Sequence, residues 1–241
     1  MSELKARHRH TTLGVLWTLL QPISMMFVFT LVFSFVIRVH VSGYPYPLFA
    51  YVGLISWMFL SQTLVAGTTS VVNSMNLVTK ANFPREVIPL AKVLAHGFDF
   101  AVGWGCLVVL VYLYGLAPKV SWLALPFIAA VHVAFTVGMV LWGAALHVLK
   151  RDVGSVLQLL LQVWMYLSPV VYPVELIPEQ YRFLYLLNPM ATIIEAYRSV
   201  MIVGVVPVTN TMVAGVLIAA VACSSGYVFF KAAEDRFADI M

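Results

Sequence analysis

Apolar positions gather in six long runs, over 13–37, 48–72, 88–116, 123–149, 153–171 and 211–230, and the stretches between them hold most of the charge. A helix crossing the bilayer core needs about 20 apolar residues, so the pattern predicts an all-α integral membrane fold of six transmembrane helices. No long hydrophilic insertion interrupts the runs, and 1–241 reads as a single transmembrane domain. Between the second and third runs lies NSMNLVTKANFPREVIPLAK, residues 73–92, a charged island bearing Lys80, Arg85, Glu86 and Lys92, with Pro84 and Pro89 as fixed breaks. It predicts a short helix over 74–81 and a turn at Phe83-Pro84-Arg85-Glu86 on the membrane surface. Exposed charges there can pair with the groove of a soluble partner at little desolvation cost.

The connection over 172–210 is long yet too apolar for a solvated loop. Pro178 followed by Glu179 starts one helical pattern, to 187, with Tyr181, Phe183 and Tyr185 on it. A second runs over 191–203 after Asn188-Pro189 and carries Glu195 and Arg198. Two short helices folding back into the outer leaflet suit this segment better than another span. The charges would be costly facing lipid, and Glu195 and Arg198 at i, i+3 can pair.

Polar residues recur at helical spacing inside three runs. The fifth aligns Ser155, Gln158, Gln162 and Tyr166, the second aligns Tyr51, Gln62 and Thr69, and the first offers Thr18 and Gln21. For any one of them the simplest account is a hydrogen bond between helices. Three such stripes together also fit a water-accessible path for a hydroxyl-rich substrate, with Gln21, Gln62, Gln158 and Gln162 as hydrogen-bonding groups and Tyr51, Trp57, Trp164 and Tyr166 as flat faces for sugar rings. The small residues Gly215, Ala219, Ala222 and Gly226 in the sixth run predict close helix packing.

Composition agrees with the pattern: 62% of the 241 residues are hydrophobic and the mean hydropathy is +0.94, too little polar surface for a water-soluble globule. Six spans put both termini on one side. Taking that side as cytoplasm places Lys5, Arg7, Arg9, Lys80, Arg85, Lys92, Lys150, Arg151, Lys231 and Arg236 inside and leaves Arg38, Lys119, Arg182 and Arg198 outside. The net charge of +4 is thus explained by orientation, and no nucleic-acid signal accompanies it. The run over 13–37 is too long for a signal-peptide core and lacks a small-residue cleavage site, so it reads as a retained first span. Cys106 and Cys223 lie within apolar runs, which argues against a disulfide or zinc framework.

Two patterns admit other chemistry. Lys92, His96 and Asp99 share one helix face, as a proton-coupled secondary transporter would require, but the run over 100–117 is already long enough to span and leaves all three near the inner interface. An Asp99 partnered by Lys92 or by backbone donors explains them without a relay. His147 and Asp152 match the H-x-x-x-x-D spacing of acyltransferases, yet no nucleophile constellation accompanies them and the Lys150-Arg151 pair fits an inside-positive flank. There is no G-x-x-x-x-G-K-[ST] phosphate loop, so the chain alone does not hydrolyse ATP.

The segments LKARHRHTTLGVLWTLLQP, LVTKANFPREVIPLAKVLAHGFDF, KRDV, LSPVVYP, IPEQYRFLYLLNPM and IIEAYRSVM, in that order along nearly the whole chain, resemble the membrane subunits of type 2 ABC exporters, in particular those exporting O-antigen, capsule or teichoic acid polymers. The basic lead-in to the first span is shorter than is usual there. The resemblance implies a multi-pass permease of the bacterial cytoplasmic membrane that works as a homodimer with two copies of a separate ABC ATPase. That ATPase would bind ATP and Mg, and this chain would need no cofactor or metal. It further implies a coupling element here at Asn76, Lys80, Phe83, Pro84, Arg85 and Glu86, and outer gate helices bearing Tyr181, Phe183, Tyr185, Glu195 and Arg198. The implied substrate is a lipid-linked glycan. A smaller lipid or amphipathic drug is the alternative.

Overall fold

The computed structural model describes residues 16–38, 43–75, 83–207 and 210–240, and these are all-helical apart from turns. The order is α1 (Leu16–Phe29), which continues in wider π-helical turns over Thr30–Val36; α2 (Tyr46–Asn73); α3 (Val87–Leu113); a 3-10 turn (Val120–Ala124) leading into α4 (Leu125–Leu149); α5 (Val153–Tyr166); the short α6 (Glu179–Leu186) and α7 (Pro189–Arg198), the latter extended by π-helical turns over Ser199–Val203; and α8 (Asn210–Ile240). Among the described residues, five stretches are long and apolar enough to cross a membrane: Thr18–Val36, Tyr46–Asn73, Val87–Leu113, Val120–Leu149 and Met212–Glu234.

The fifth predicted span behaves differently. Its helix stops at Tyr166, after 14 residues, which at 1.5 Å per residue reaches roughly 21 Å, short of the roughly 30 Å of hydrocarbon. Pro169 has no N–H to continue the helix, and the chain runs on through Ser168, Val170 and Val171, all buried. Backbone at such depth must find partners within the protein, and side chains supply them. The Ser168 hydroxyl donates to the Trp164 carbonyl (2.9 Å), the Tyr172 hydroxyl to that of Tyr166 (2.6 Å), the Asn188 amide to that of Leu167 (3.0 Å), and the Tyr46 hydroxyl to that of Val171 (2.6 Å).

α2 is the centre of the bundle. In its most apolar window 78% of residues are buried, against 6% for α1, which leans on α2 and α3 with most of its surface uncovered. α4 and α8 form the tightest pair. Gly138 lies against the backbone of Ala222 and Cys223, and Gly226 against the backbone of Gly138, so that a Cβ on either would run into the facing chain. The small-residue stripe of the sixth run is therefore a helix-packing face. Trp142 adds a stack on Phe229 (4.1 Å, 14°) and a bond from Nε1 to Ser225 Oγ (3.1 Å).

α8 runs ten residues past the expected end of the last span. Apolarity along the whole helix ceases at Phe230, but Ala233 and Phe237 remain buried at i, i+4, so an amphipathic continuation replaces a hydrophobic one. With Val71, Ile88, Leu141, Ala144, Ala145, Val148 and Phe230 they form a second apolar cluster at one end of the bundle, and Phe83 packs against it.

Candidate functional site

α1, α2, α3 and α5 enclose an open cleft of about 630 Å³. Gln21 comes from α1; Trp57, Ser61 and Gln62 from successive turns of α2; His96 from α3; Gln158, Leu161, Gln162 and Met165 from one face of α5 at i, i+3, i+4, i+7. Across it the Gln62 amide donates to the Gln21 carbonyl oxygen at 3.3 Å. Between apolar patches from Val65, Ala66, Leu161 and Met165, the polar groups of the wall carry little charge: amides and a hydroxyl that both donate and accept, an indole, and one imidazole.

Of the eight residues expected along a polar path, Gln21, Trp57, Gln62, Gln158 and Gln162 meet in this cleft. Three do not. Tyr51 is buried, its hydroxyl donating to the Gly103 carbonyl at 3.2 Å, so it joins α2 to α3 instead of facing the cleft. Trp164 turns its Nε1 to Asn188 Oδ1 (3.0 Å), with its ring edge-on to Trp57 at 5.7 Å. Tyr166 ends α5 with an exposed ring. Ser61 and His96 are the polar lining residues the stripes missed. Behind His96, Nδ1 lies 3.7 Å from Asp99 Oδ2, and the Thr18 hydroxyl donates to Asp99 Oδ1 at 3.3 Å.

At one end of the cleft α6 and α7 fold back. Asn188 caps α7, accepting from the Met190 N–H at 3.1 Å, with Pro189 in the first turn. Arg198, at the far end of α7, is the largest fully buried side chain among the described residues. Its Nη1 bonds Glu195 at 2.7 Å, Nη2 donates to the carbonyls of Val170 (2.9 Å) and Phe49 (3.1 Å), Nε adds a longer bond to Phe49 (3.3 Å), and the guanidinium lies 3.4 Å over the Phe49 ring. One cation thus ties α7 to the start of α2 and to the unwound end of α5. Gly53 makes room: a Cβ there would meet the Val170 carbonyl and lie 2.8 Å from Arg198 Nη2. The carbonyls that close α7 are held from the α3–α4 connection, Lys119 Nζ donating to Ile202 (3.0 Å) and Val203 (2.8 Å) and Ser121 to Val200 (2.9 Å). Tyr181 is exposed on α6, and the Tyr185 ring sits 6.4 Å from that of Tyr172. The Phe183 side chain lies outside what is described.

At the opposite end, Phe83-Pro84-Arg85-Glu86 forms the expected turn, closed by Val87 N–H to the Pro84 carbonyl (3.2 Å) and Ile88 N–H to that of Arg85 (3.2 Å). Asn76, Lys80 and the rest of the helix expected over 74–81 beyond Met75 fall outside the described residues. Arg85 and Glu86 do not project freely, as the sequence suggested; both are committed to α8. Lys231 Nζ bonds Glu86 (2.7 Å) and Glu234 (2.8 Å), the Arg85 N–H donates to Glu234 Oε1 (3.3 Å), and Arg85 Nη1 donates to the Glu234 carbonyl. Partial burial raises the Glu86 carboxyl, but the hydrogen bond and charge of Lys231, with a backbone donor, outweigh it and hold the group below its ordinary value. The sequence marked Lys231 only as an inside-positive flank, because Glu86, the partner that joins it to the turn, is 145 residues away. His147 is likewise structural: Nδ1 accepts the Gly154 N–H at 3.2 Å and so caps the start of α5.

Comparison with known proteins bears on what such a bundle does. The family described as ABC-2 type transporter matches residues 1–202. The chain is 30% identical over 239 residues to the O-antigen export system permease protein RfbA of Myxococcus xanthus, covering 98% of this chain and 91% of that protein. It is 28% identical over 243 residues to the protein of the same name from Klebsiella pneumoniae (99% and 92%). The polysialic acid transport protein KpsM of Escherichia coli is more distant, 21% identical over 206 residues, 85% of this chain and 80% of KpsM.

Proposed function

The chain belongs to the ABC-2 type transporter family, and from that we propose that it is the transmembrane subunit of an ATP-driven exporter of polysaccharide, a multi-pass protein of the bacterial inner membrane and not itself an enzyme. The observation that carries the reading is the cleft of Gln21, Ser61, Gln62, Gln158 and Gln162 beside Trp57. Amides that donate and accept suit a hydroxyl-rich chain, which has no fixed charge to pair and must move on without binding tightly. The cargo in this reading is a lipid-linked glycan of O-antigen type, as the names of the nearer relatives suggest.

The working unit in this reading is a homodimer on two ABC ATPase subunits, which bind ATP and Mg. Each chain is a single domain of six spans with α5 completing the count and both termini cytoplasmic. Twofold pairing across α1 and α5 covers the exposed surface of α1 and sets two clefts face to face. The segment from Asn76 and Lys80 through Phe83, Pro84, Arg85 and Glu86 receives the ATPase, and α6 with α7 closes the outer end, with Tyr181, Phe183, Tyr185, Glu195 and Arg198 in the closing element.

Single cysteines at 62, 158 and 162, in a complex that exports in cells, test the cleft. Water-borne maleimide labels all three, and the labels block export. Protection of all three positions from water removes the path and leaves the Gln residues as helix-packing groups.

A further inference from the structure

Two separate sets of interactions bind the Phe83–Glu86 turn to the end of α8. One is ionic: Lys231 sits between Glu86 and Glu234 at 2.7 and 2.8 Å while Arg85 holds Glu234 from the other side. The other is apolar: Phe83 and Ile88 pack into the cluster of Phe230, Ala233 and Phe237 with Val71 and Leu141. Surface ion pairs contribute little to stability, and this one is partly wet, with the Lys231 side chain 35% exposed. What the group does is fix position, since a lysine shared by two carboxylates on different elements holds a turn in one register against a helix.

We propose that the last turns of α8 brace the ATPase-coupling turn, with Lys231 and Glu234 as positioning residues that carry its displacement into the α4–α8 pair. This rests on the reading of 76–86 as the coupling segment. α8 is unbroken from Asn210 to Ile240, so a push at Lys231 is carried along the helix. At Gly138 and Gly226 it meets α4 backbone to backbone, a contact with no flexible side chain to absorb the motion. The stroke of the ATPase thereby reaches α4 through α8 as well as through α2 and α3, which the coupling loop joins directly.

The test uses the complex of this chain with its ATPase in proteoliposomes, measuring export per ATP hydrolysed and, separately, co-purification of the ATPase. Lys231→Met and Glu234→Gln are expected to lower export per ATP about fivefold with the complex still assembled. The exchange of Glu86→Lys with Lys231→Glu keeps one lysine between two carboxylates and is expected to recover most of what Lys231→Glu alone loses. Unchanged export per ATP in Lys231→Met and Glu234→Gln overturns the brace, as does an exchange no better than its single members. If Arg85→Ala with Glu86→Ala still uncouples in those circumstances, the coupling segment stands and only the brace falls. If that pair also exports normally, the coupling reading fails first.

Discussion

Each end of the bundle is fastened by a basic side chain reaching between elements, and the two fastenings differ in almost every physical respect. Arg198 is fully buried and spends its donors on two main-chain carbonyls as well as Glu195; Lys231 is one-third exposed and spends its own on carboxylates alone. Removing the first strands a carbonyl that no water reaches, whereas removing the second frees carboxylates that water can solvate. One end is thus held as part of the core, the other by a contact whose groups water can reach.

Substitutions test that contrast in order of size. Arg198→Met keeps the volume but removes the donors to Val170 and the cation over Phe49, and it should cost about 3 kcal/mol, read as a large fall in the thermal unfolding midpoint in detergent. A loss no larger than that of Lys231→Met would break the comparison. Gly53→Ala drives a methyl into the Val170 carbonyl and should cost about 2 kcal/mol in the same assay, the strain of overpacking. Glu195→Gln should cost below about 1 kcal/mol, because its side chain is 42% exposed and Arg198 keeps its carbonyl partners; a loss matching that of Arg198→Met would show that the pair, and not the carbonyl bonds, holds this end. Lys231→Met should change thermal stability least, and only at low salt. Acid should act at the same place: Glu86 has its folded pKa below the ordinary 4.5. Its contribution is therefore complete above that value and disappears as pH falls through the lowered one. The difference between wild type and Lys231→Met should close over that interval, and a difference that persists in acid would mean the carboxylate pairing contributes nothing.

The spans were legible because a membrane helix satisfies its own backbone, so apolar length alone announces it. Where that self-sufficiency ends, the sequence says less. The run over 153–171 looked uniform, but its last five residues leave the helix, and the donors that permit this, Tyr46, Asn188 and Arg198, are far away in the chain. Spacing anticipated the Glu195–Arg198 pair, since i, i+3 is local; it could not reveal Phe49, 149 residues off. The polar stripes grouped Gln21, Gln62, Gln158 and Gln162 correctly on one cleft, yet included Tyr51, because a hydroxyl joining two helices has the same periodicity as one lining a path. Arg85 and Glu86 read as free charges for the same reason, their partners lying on a helix whose apolar run had already ended.

The unwound stretch after Tyr166 inverts the usual relation between depth in a membrane and freedom to vary. Along the uncovered face of α1 the main chain bonds to itself, so any apolar side chain of suitable shape serves there and the residue identities carry little information. Between Leu167 and Val171 three carbonyls, those of Leu167, Val170 and Val171, are each answered by one particular distant side chain, and Asn188, Arg198 and Tyr46 are not exchangeable for one another. The stretch therefore draws its integrity from three fixed identities elsewhere, and these few positions hold more of the chain's memory of its own fold than the apolar side chains that dominate its composition.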